Sequence, residues 1–185
     1  MQVANRNREA RATVVLAVLC LVLQLALAPN VALGNGRANF ALVFTACFAL
    51  AHGAARSTVV AGFLSGLLFD LSSTSPIGLM AFCLTATGYV LGQSAREQAV
   101  GDLASSVVST AAASLAVALV YHLAMLLVGQ TSSIIDALFL RALPTALLTL
   151  IAFLPFAYYF SRVRTHGPSL GGGRHSSGSL GGRGL

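Results

Sequence analysis

Six apolar runs, separated by short polar turns, account for most of this chain. They cover residues 12–28, 39–54, 57–72, 76–93, 103–128 and 135–161. Apolar runs of about this length predict membrane-crossing helices. One helix across 39–69 would far exceed a hydrocarbon core about 30 Å thick, so we predict two short helices joined at Gly53–Arg56. The pattern therefore predicts an all-α, polytopic membrane protein with about six transmembrane helices in one bundle.

The two ends of the chain are polar. Residues 1–11 predict a cytoplasmic N-terminal segment, and residues 12–161 the six-helix transmembrane domain. Residues 162–185 contain mainly Gly, Ser and Arg without apolar periodicity, which predicts a disordered cytoplasmic tail. A cleaved signal peptide is the alternative for the first run, because Ala26-Leu27-Ala28 resembles a cleavage site. Pro29 follows directly, where signal peptidase disfavours proline, so we expect a retained helix.

Composition agrees with the membrane prediction. Hydrophobic residues make up 56% of the 185 residues and charged residues only 9%. Soluble domains carry about 25% charged residues, so this chain has too few charged residues to form the water-facing surface of a soluble domain. Its net charge of +6 is the difference between eleven basic residues, all of them Arg, and five acidic residues. No predicted helix has a basic stripe with interleaved aromatic residues, so we expect no nucleic-acid partner.

The positions of the arginines predict the orientation in the membrane. With a cytoplasmic N-terminus, an outer loop holds Arg37, and Arg141 lies within the last run. The other nine flank cytoplasmic ends or lie in the tails: Arg6, Arg8, Arg11, Arg56, Arg96, Arg162, Arg164, Arg174 and Arg183. Cytoplasmic loops of membrane proteins carry an excess of basic residues. We therefore predict that both termini are cytoplasmic.

Cofactor and enzyme chemistry find little support in the sequence. Cys20, Cys47 and Cys83 lie inside apolar runs without CxxC spacing or a neighbouring His, so we expect no disulfide, metal or cofactor. A rhomboid-type intramembrane protease needs Gly-x-Ser-Gly, whereas Ser65-Gly66 lacks the glycine two positions before the serine. The sequence contains no HExxH zinc motif, no paired aspartates and no phosphate-binding glycine loop. We predict a non-enzymatic protein without catalytic residues.

Four glycines lie at helical spacing on two neighbouring runs. Gly62 and Gly66, followed four residues later by Asp70, share one face of the third predicted helix. Gly88 and Gly92 repeat the spacing on the fourth. Small residues at this spacing let helix backbones approach closely in membranes. The interpretation that we favour is packing between helices of this chain, and the alternative is an interface for a partner helix.

Three ionisable residues are predicted at a similar depth on different helices. Asp70 would lie at the outer end of the third helix, His122 in the outer half of the fifth, and Arg141 about two turns into the sixth. Ionisable groups inside a membrane are costly unless they find partners. We therefore predict an intramembrane polar cluster in which Asp70 pairs with Arg141 and His122 lies close by. The alternative is that each side chain reaches the outer headgroups separately.

A family resemblance rests on the centre of the chain. The segment Val60-Ala61-Gly62 through Leu71, then Pro76-Ile77-Gly78, and Thr87-Gly88-Tyr89-Val90-Leu91-Gly92 resemble the bacterial rod-shape-determining MreD family. Members typically show "GFxxGLxxD", a short polar turn containing glycine, and an apolar helix ending in "GYxxG". The last run, from Pro144 to Arg162, is similar to the C-terminal helix of that family. The Gly/Arg-rich tail departs from the usual pattern.

The resemblance implies a function and partners. It implies a non-enzymatic component of the bacterial cell-elongation machinery in the plasma membrane, a scaffold for an MreC-like membrane-anchored protein and associated peptidoglycan synthases. The MreD fold is thought similar to substrate-binding components of energy-coupling-factor transporters, which gives the alternative function, a vitamin-uptake component. A scaffold is expected to show a lipid-facing groove or small-residue patch. An uptake component is expected to show an enclosed polar pocket near the outer surface.

Overall fold

The computed structural model describes residues 2–30, 32–33, 35–53, 55–73, 75–97, 103–129 and 133–165. The fold is all-α, as predicted. Its helices are α1 (Gln2–Ala26), α2 (Phe40–His52), α3 (Ala55–Ser72), α4 (Leu79–Glu97), α5 (Leu103–Leu127) and α6 (Leu143–Thr165). Each predicted apolar run corresponds to one of them. The predicted N-terminal segment from Gln2 belongs to α1, and α6 includes residues 162–165. The rest of the predicted tail, 166–185, lies outside the described residues.

A short two-stranded hairpin joins α1 to α2. It consists of β1 (Ala32–Leu33) and β2 (Gly36–Arg37), which pair antiparallel with Ala32 opposite Arg37. The turns between α3 and α4 and between α5 and α6 lie at the same end of the bundle. We call this the hairpin end, and the end that carries the α2–α3 turn the opposite end.

The short helix α2 lies in the middle of the bundle. Its 13 residues rise about 20 Å, and every residue from Phe40 to Cys47 is buried. It packs against α1, α3, α4 and α6. At its far end Gly53 adopts the left-handed conformation (φ 58°), which a glycine reaches without a Cβ clash, and the chain turns into α3. Longer neighbours therefore shield a helix that is too short to face lipid alone.

Several polar side chains are fully buried, and many large apolar side chains are exposed. Thr45, Thr58, Thr110, Thr149 and Asp70 are among the largest fully buried side chains. Large apolar side chains cover the exposed surface of α1 and of α3 to α6. This distribution suits a bundle whose solvent is lipid. Among the described residues, two helices, Ala104–Leu127 and Asp136–Tyr159, are long and apolar enough to cross a membrane, and Ala10–Ala26 and Phe40–His52 are shorter apolar helices.

A π-helix precedes α6 without a break in the helical path. It spans Asp136–Ala142, and its flanking residues have ordinary right-handed helical angles. The hairpin docks beside it, where the Asn35 N–H donates to the Leu140 carbonyl at 3.2 Å. π-helical segments are uncommon and occur frequently at functional sites. This one presents Arg141 at the hairpin end.

Candidate functional site

A polar cavity of about 620 Å³ opens at the hairpin end. Residues from all six helices, the hairpin and the π-helix line it. Its polar lining residues are Gln24, Asn35, Arg37, Asn39, Ser72, Ser73, Ser75, Ser114, Tyr121, His122, Arg141, Thr145 and Thr149. Ligand pockets in proteins commonly measure about 300–1,000 Å³. The volume therefore suits a small molecule or a lipid headgroup.

Asp70 lies at this end of the bundle but is bound to the start of α4. Its side chain is 1% exposed. One carboxylate oxygen accepts the N–H groups of Gly78 and Ala81 at 2.9 and 3.1 Å. The other accepts the Met80 N–H at 3.1 Å and the Ser75 hydroxyl at 3.4 Å. A carboxylate at a helix N-terminus satisfies amides that lack partners within the helix and complements the helix dipole.

The predicted ion pair between Asp70 and Arg141 is wrong. The partner of Arg141 is Asp136, five residues earlier in the π-helix, with Nε 3.2 Å from Oδ2 and each side chain 31% exposed. Asp70 finds its partners among backbone amides, which sequence reasoning about oppositely charged side chains did not consider. Asp70 thus stabilises the α3–α4 turn, while Arg141 lines the cavity.

His122 and Arg141 line the same cavity. His122 Nε2 lies 3.4 Å from the Thr145 hydroxyl. The same hydroxyl accepts the Arg37 backbone N–H at 3.2 Å, which fixes strand β2 against α6. Residues from α5, α6 and the hairpin are therefore connected by hydrogen bonds around one space.

Three cavity residues that the sequence analysis did not single out hold the start of α2. Gln24 on α1 accepts the Phe40 N–H at 2.8 Å. Thr149 on α6 accepts the Asn39 N–H at 3.0 Å, and the Asn39 side chain accepts the Leu42 N–H at 3.1 Å. Asn39 directly precedes an apolar run, which is a recognisable N-cap signal. The contributions of Gln24 and Thr149 depend on tertiary packing and leave no such signal.

The four glycines lie between α3 and α4, where the two helices make the most extensive contact of any described helix pair. A Cβ built on Gly66 would lie 2.5 Å from the Ala81 Cα. One built on Gly62 would collide with the Leu84 carbonyl oxygen.

The glycines of α4 face α3 in the same way. A Cβ on Gly88 would lie 2.7 Å from the Thr58 carbonyl oxygen, and one on Gly92 2.6 Å from the Ala55 Cα. A larger side chain at any of these four positions would therefore clash with the facing helix and separate α3 from α4. A partner helix has no direct access to these positions, since all four glycines are buried.

An apolar groove of about 810 Å³ runs along α1, α2 and α3. It is lined by Thr13, Ala17, Cys20, Leu21, Gln24, Ala41, Phe44, Phe48, Arg56, Ser57, Val60, Ala61, Leu64, Ser65, Leu68 and Phe69. The groove exists because α1 packs mainly on α2 and stands away from α3. Gln24 and Phe69 line both the groove and the cavity, so the two spaces adjoin.

Comparison with known proteins identifies the family. The family model described as rod shape-determining protein MreD matches residues 8–163, which include all six helices at least in part. No curated protein and no solved structure matches the chain significantly. The match covers well over half of the chain and agrees with the all-α fold and its apolar surface. The chain therefore belongs to the MreD family of integral membrane proteins that determine rod shape.

Proposed function

We propose that this chain is a non-enzymatic scaffold of the cell-elongation machinery, and that it binds the membrane helix of an MreC-like protein and, with it, peptidoglycan synthases of the lateral wall. Membership of the MreD family supports the rod-shape role. The apolar groove between α1 and α3 is the observation that carries the scaffold role. A groove of this kind is expected of a scaffold that accepts a partner helix.

The chemistry of the groove suits a transmembrane helix. Small side chains form its floor, among them Ala17, Cys20 and Ala61. Small residues let a partner backbone approach closely, and close packing is the main source of helix association in lipid. From Ser57 to Phe69 the α3 side of the groove spans 13 residues and rises about 18 Å, more than three helical turns. A partner helix therefore has an extended surface against which to pack.

Substitutions that fill the groove test this proposal. Ala17→Phe places a ring in the groove and is expected to abolish co-purification of the MreC-like partner. Ala112→Phe makes the same change on the exposed surface of α5 and is the matched control. Both variants are expected to insert and to elute as monodisperse protein. Undiminished co-purification of the partner with Ala17→Phe would show that the partner binds elsewhere.

We further propose that all six helices cross the plasma membrane, with both termini cytoplasmic and the hairpin end outside. The distribution of arginines supports this orientation, since Arg37 and Arg141 alone lie toward the hairpin end and the other nine lie toward the opposite end or in the tails. Reporter fusions at residues 33, 74 and 131 are expected outside and a C-terminal fusion inside. A C-terminal reporter that is accessible from outside would contradict the six-crossing topology.

The alternative is a substrate-binding component of an energy-coupling-factor type transporter. The cavity at the hairpin end favours it, because polar groups that are scattered in the sequence converge there. Such a component would co-purify with transporter ATPase subunits rather than with a wall-elongation protein. Genes for wall elongation beside the gene of this chain would support the scaffold, and genes for transporter ATPases the alternative.

A further inference from the structure

We propose that the hairpin-end cavity binds a phosphate group, either free or as the headgroup of a membrane lipid, through Arg37 and Arg141. The site is separate from the groove assigned to the partner helix, and the inference goes beyond the scaffold role. Four observations carry it: the charge of the lining, the way in which the two arginines are brought together, the helix N-terminus at the cavity wall, and the junction with the groove.

The cavity lining carries an uncompensated positive charge. Its charged members are Arg37 and Arg141, and no carboxylate belongs to the described lining. Asp136 pairs with Arg141 through Nε, which leaves the terminal guanidinium nitrogens of Arg141 outside that contact. Within the described part of the chain, Arg37 makes no salt bridge. Arg37 therefore adds a positive charge to the lining that no described carboxylate balances, and an anion in the cavity would balance it.

The fold brings these two arginines together from distant parts of the sequence. Strand β2 docks on the junction of the π-helix and α6, where a Cβ on Gly36 would lie 3.0 Å from the Arg141 carbonyl oxygen. The Arg37 N–H is bound to Thr145, one helical turn beyond Arg141. Both side chains line the same cavity, so an anion bound there is attracted by two cations. Arginine forks match the geometry of phosphate oxygens.

The start of α2 adds to the attraction for an anion. Ala38, Asn39 and Leu42 line the cavity, so the positive end of the dipole of α2 lies at its wall. The Phe40 and Leu42 N–H groups already donate to Gln24 and Asn39, so the helix contributes through the field of its dipole. The hydroxyl, amide and imidazole groups of Tyr121, Gln24 and His122 complete a lining with several hydrogen-bonding groups.

The junction with the groove provides a lipid route to the cavity. Gln24 and Phe69 line both spaces, so the cavity adjoins an apolar surface. The anionic headgroups of bilayer lipids are phosphodiesters, so an acyl chain near Phe69 would place a phosphate beside Gln24 and inside the cavity. A soluble phosphate compound would instead enter from the hairpin end.

The test compares lipid and soluble phosphate on the delipidated, purified chain. Native mass spectrometry measures the affinity for phosphatidylglycerol and for phosphatidylcholine of the same chain length. A thermal unfolding assay measures stabilisation by inorganic phosphate at constant ionic strength. The variant Arg37→Gln removes one of the two cations of the cavity. The control variant, Arg96→Gln, removes an exposed arginine from the last turn of α4, at the opposite end of the bundle.

A lipid headgroup site predicts that the native chain prefers phosphatidylglycerol, and that Arg37→Gln weakens this binding about tenfold while Arg96→Gln leaves it unchanged. A soluble-phosphate site predicts equal binding of the two lipids, with thermal stabilisation by phosphate that Arg37→Gln loses. Should Arg37→Gln not fold, Arg37→Lys replaces it, with weaker binding expected because the fork is lost. The proposal would be overturned if the native chain showed neither a preference for phosphatidylglycerol nor stabilisation by phosphate. Equal losses of binding in Arg37→Gln and Arg96→Gln would also overturn it.

Discussion

Replacement of Asp70 by asparagine tests the structural role of the most deeply buried charge in the described chain. The carboxylate accepts four hydrogen bonds, two at each oxygen. An asparagine side chain has one acceptor oxygen and presents N–H groups where the second oxygen was. Two donors at the start of α4 therefore lose their partner. At about 1.5 kcal/mol for each charge-assisted bond, Asp70→Asn is expected to destabilise the protein by about 3 kcal/mol.

The chain contains its own probes for this measurement. Cys20, Cys47 and Cys83 are 3%, 0% and 5% exposed, so a thiol-reactive fluorescent maleimide reports unfolding when heat exposes them. For a chain of this size a loss of 3 kcal/mol lowers the midpoint by about 6–12 °C. Asp136→Asn changes a carboxylate that is 31% exposed and is the matched control, expected to cost only about 0–1 kcal/mol.

A double substitution distinguishes helix capping from an ion pair with Arg141. If Asp70 caps α4, Arg141→Gln alone changes the free energy of unfolding very little and does not rescue Asp70→Asn. The losses of stability in the two single variants then add in the double variant. If the two residues formed a buried pair, the single changes would each cost about 3–5 kcal/mol and the double change much less. Rescue of Asp70→Asn by Arg141→Gln would refute the capping interpretation.

Two further substitutions test helix packing and the start of α2. Gly66→Leu is expected to separate α3 from α4 and to lower the unfolding midpoint strongly. The control Ala86→Leu, on the exposed surface of α4, is expected to leave the midpoint unchanged. A native-like midpoint for Gly66→Leu would contradict the close approach of the two helices. Thr149→Val keeps the side-chain shape but leaves the buried Asn39 N–H without its acceptor, at a cost of about 1–3 kcal/mol in the same assay. A shift below the error of the assay would mean that the N–H finds another acceptor.

The helices could be predicted from the sequence because their signals are local. Gly53 ends α2 in the left-handed conformation, and Asn39 caps its start. Both residues flank apolar runs that are visible in the chain. The favoured interpretation of Gly62 and Gly66 as contacts within the chain agrees with their position against α4. The small-residue spacing alone, however, gave no indication of which helix they face.

The partners of Asp70 and the shape of the cavity could not be predicted, for two different reasons. Asp70 binds amides only 8 to 11 residues away, but the direction of its side chain depends on the turn at 73–78. The cavity depends on a hairpin of two-residue strands and on a π-helix, and both are too short to produce a recognisable hydrophobic periodicity in the sequence. Depth along the helices was predictable, since Asp70, His122 and Arg141 all lie toward one end. Rotation about the helix axes was not.

The two proposed sites are close enough to influence each other. Gln24 lies at their junction and holds α1 to α2 through the Phe40 N–H. A partner helix in the groove would press on the α1 surface that carries Gln24, and a phosphate in the cavity would contact the same region from the other side. Any effect of one ligand on the affinity of the other must be reciprocal. Partner binding measured with and without phosphate therefore reports on both sites at once, and Gln24→Ala, which alters the lining that the two sites share, is expected to reduce the coupling.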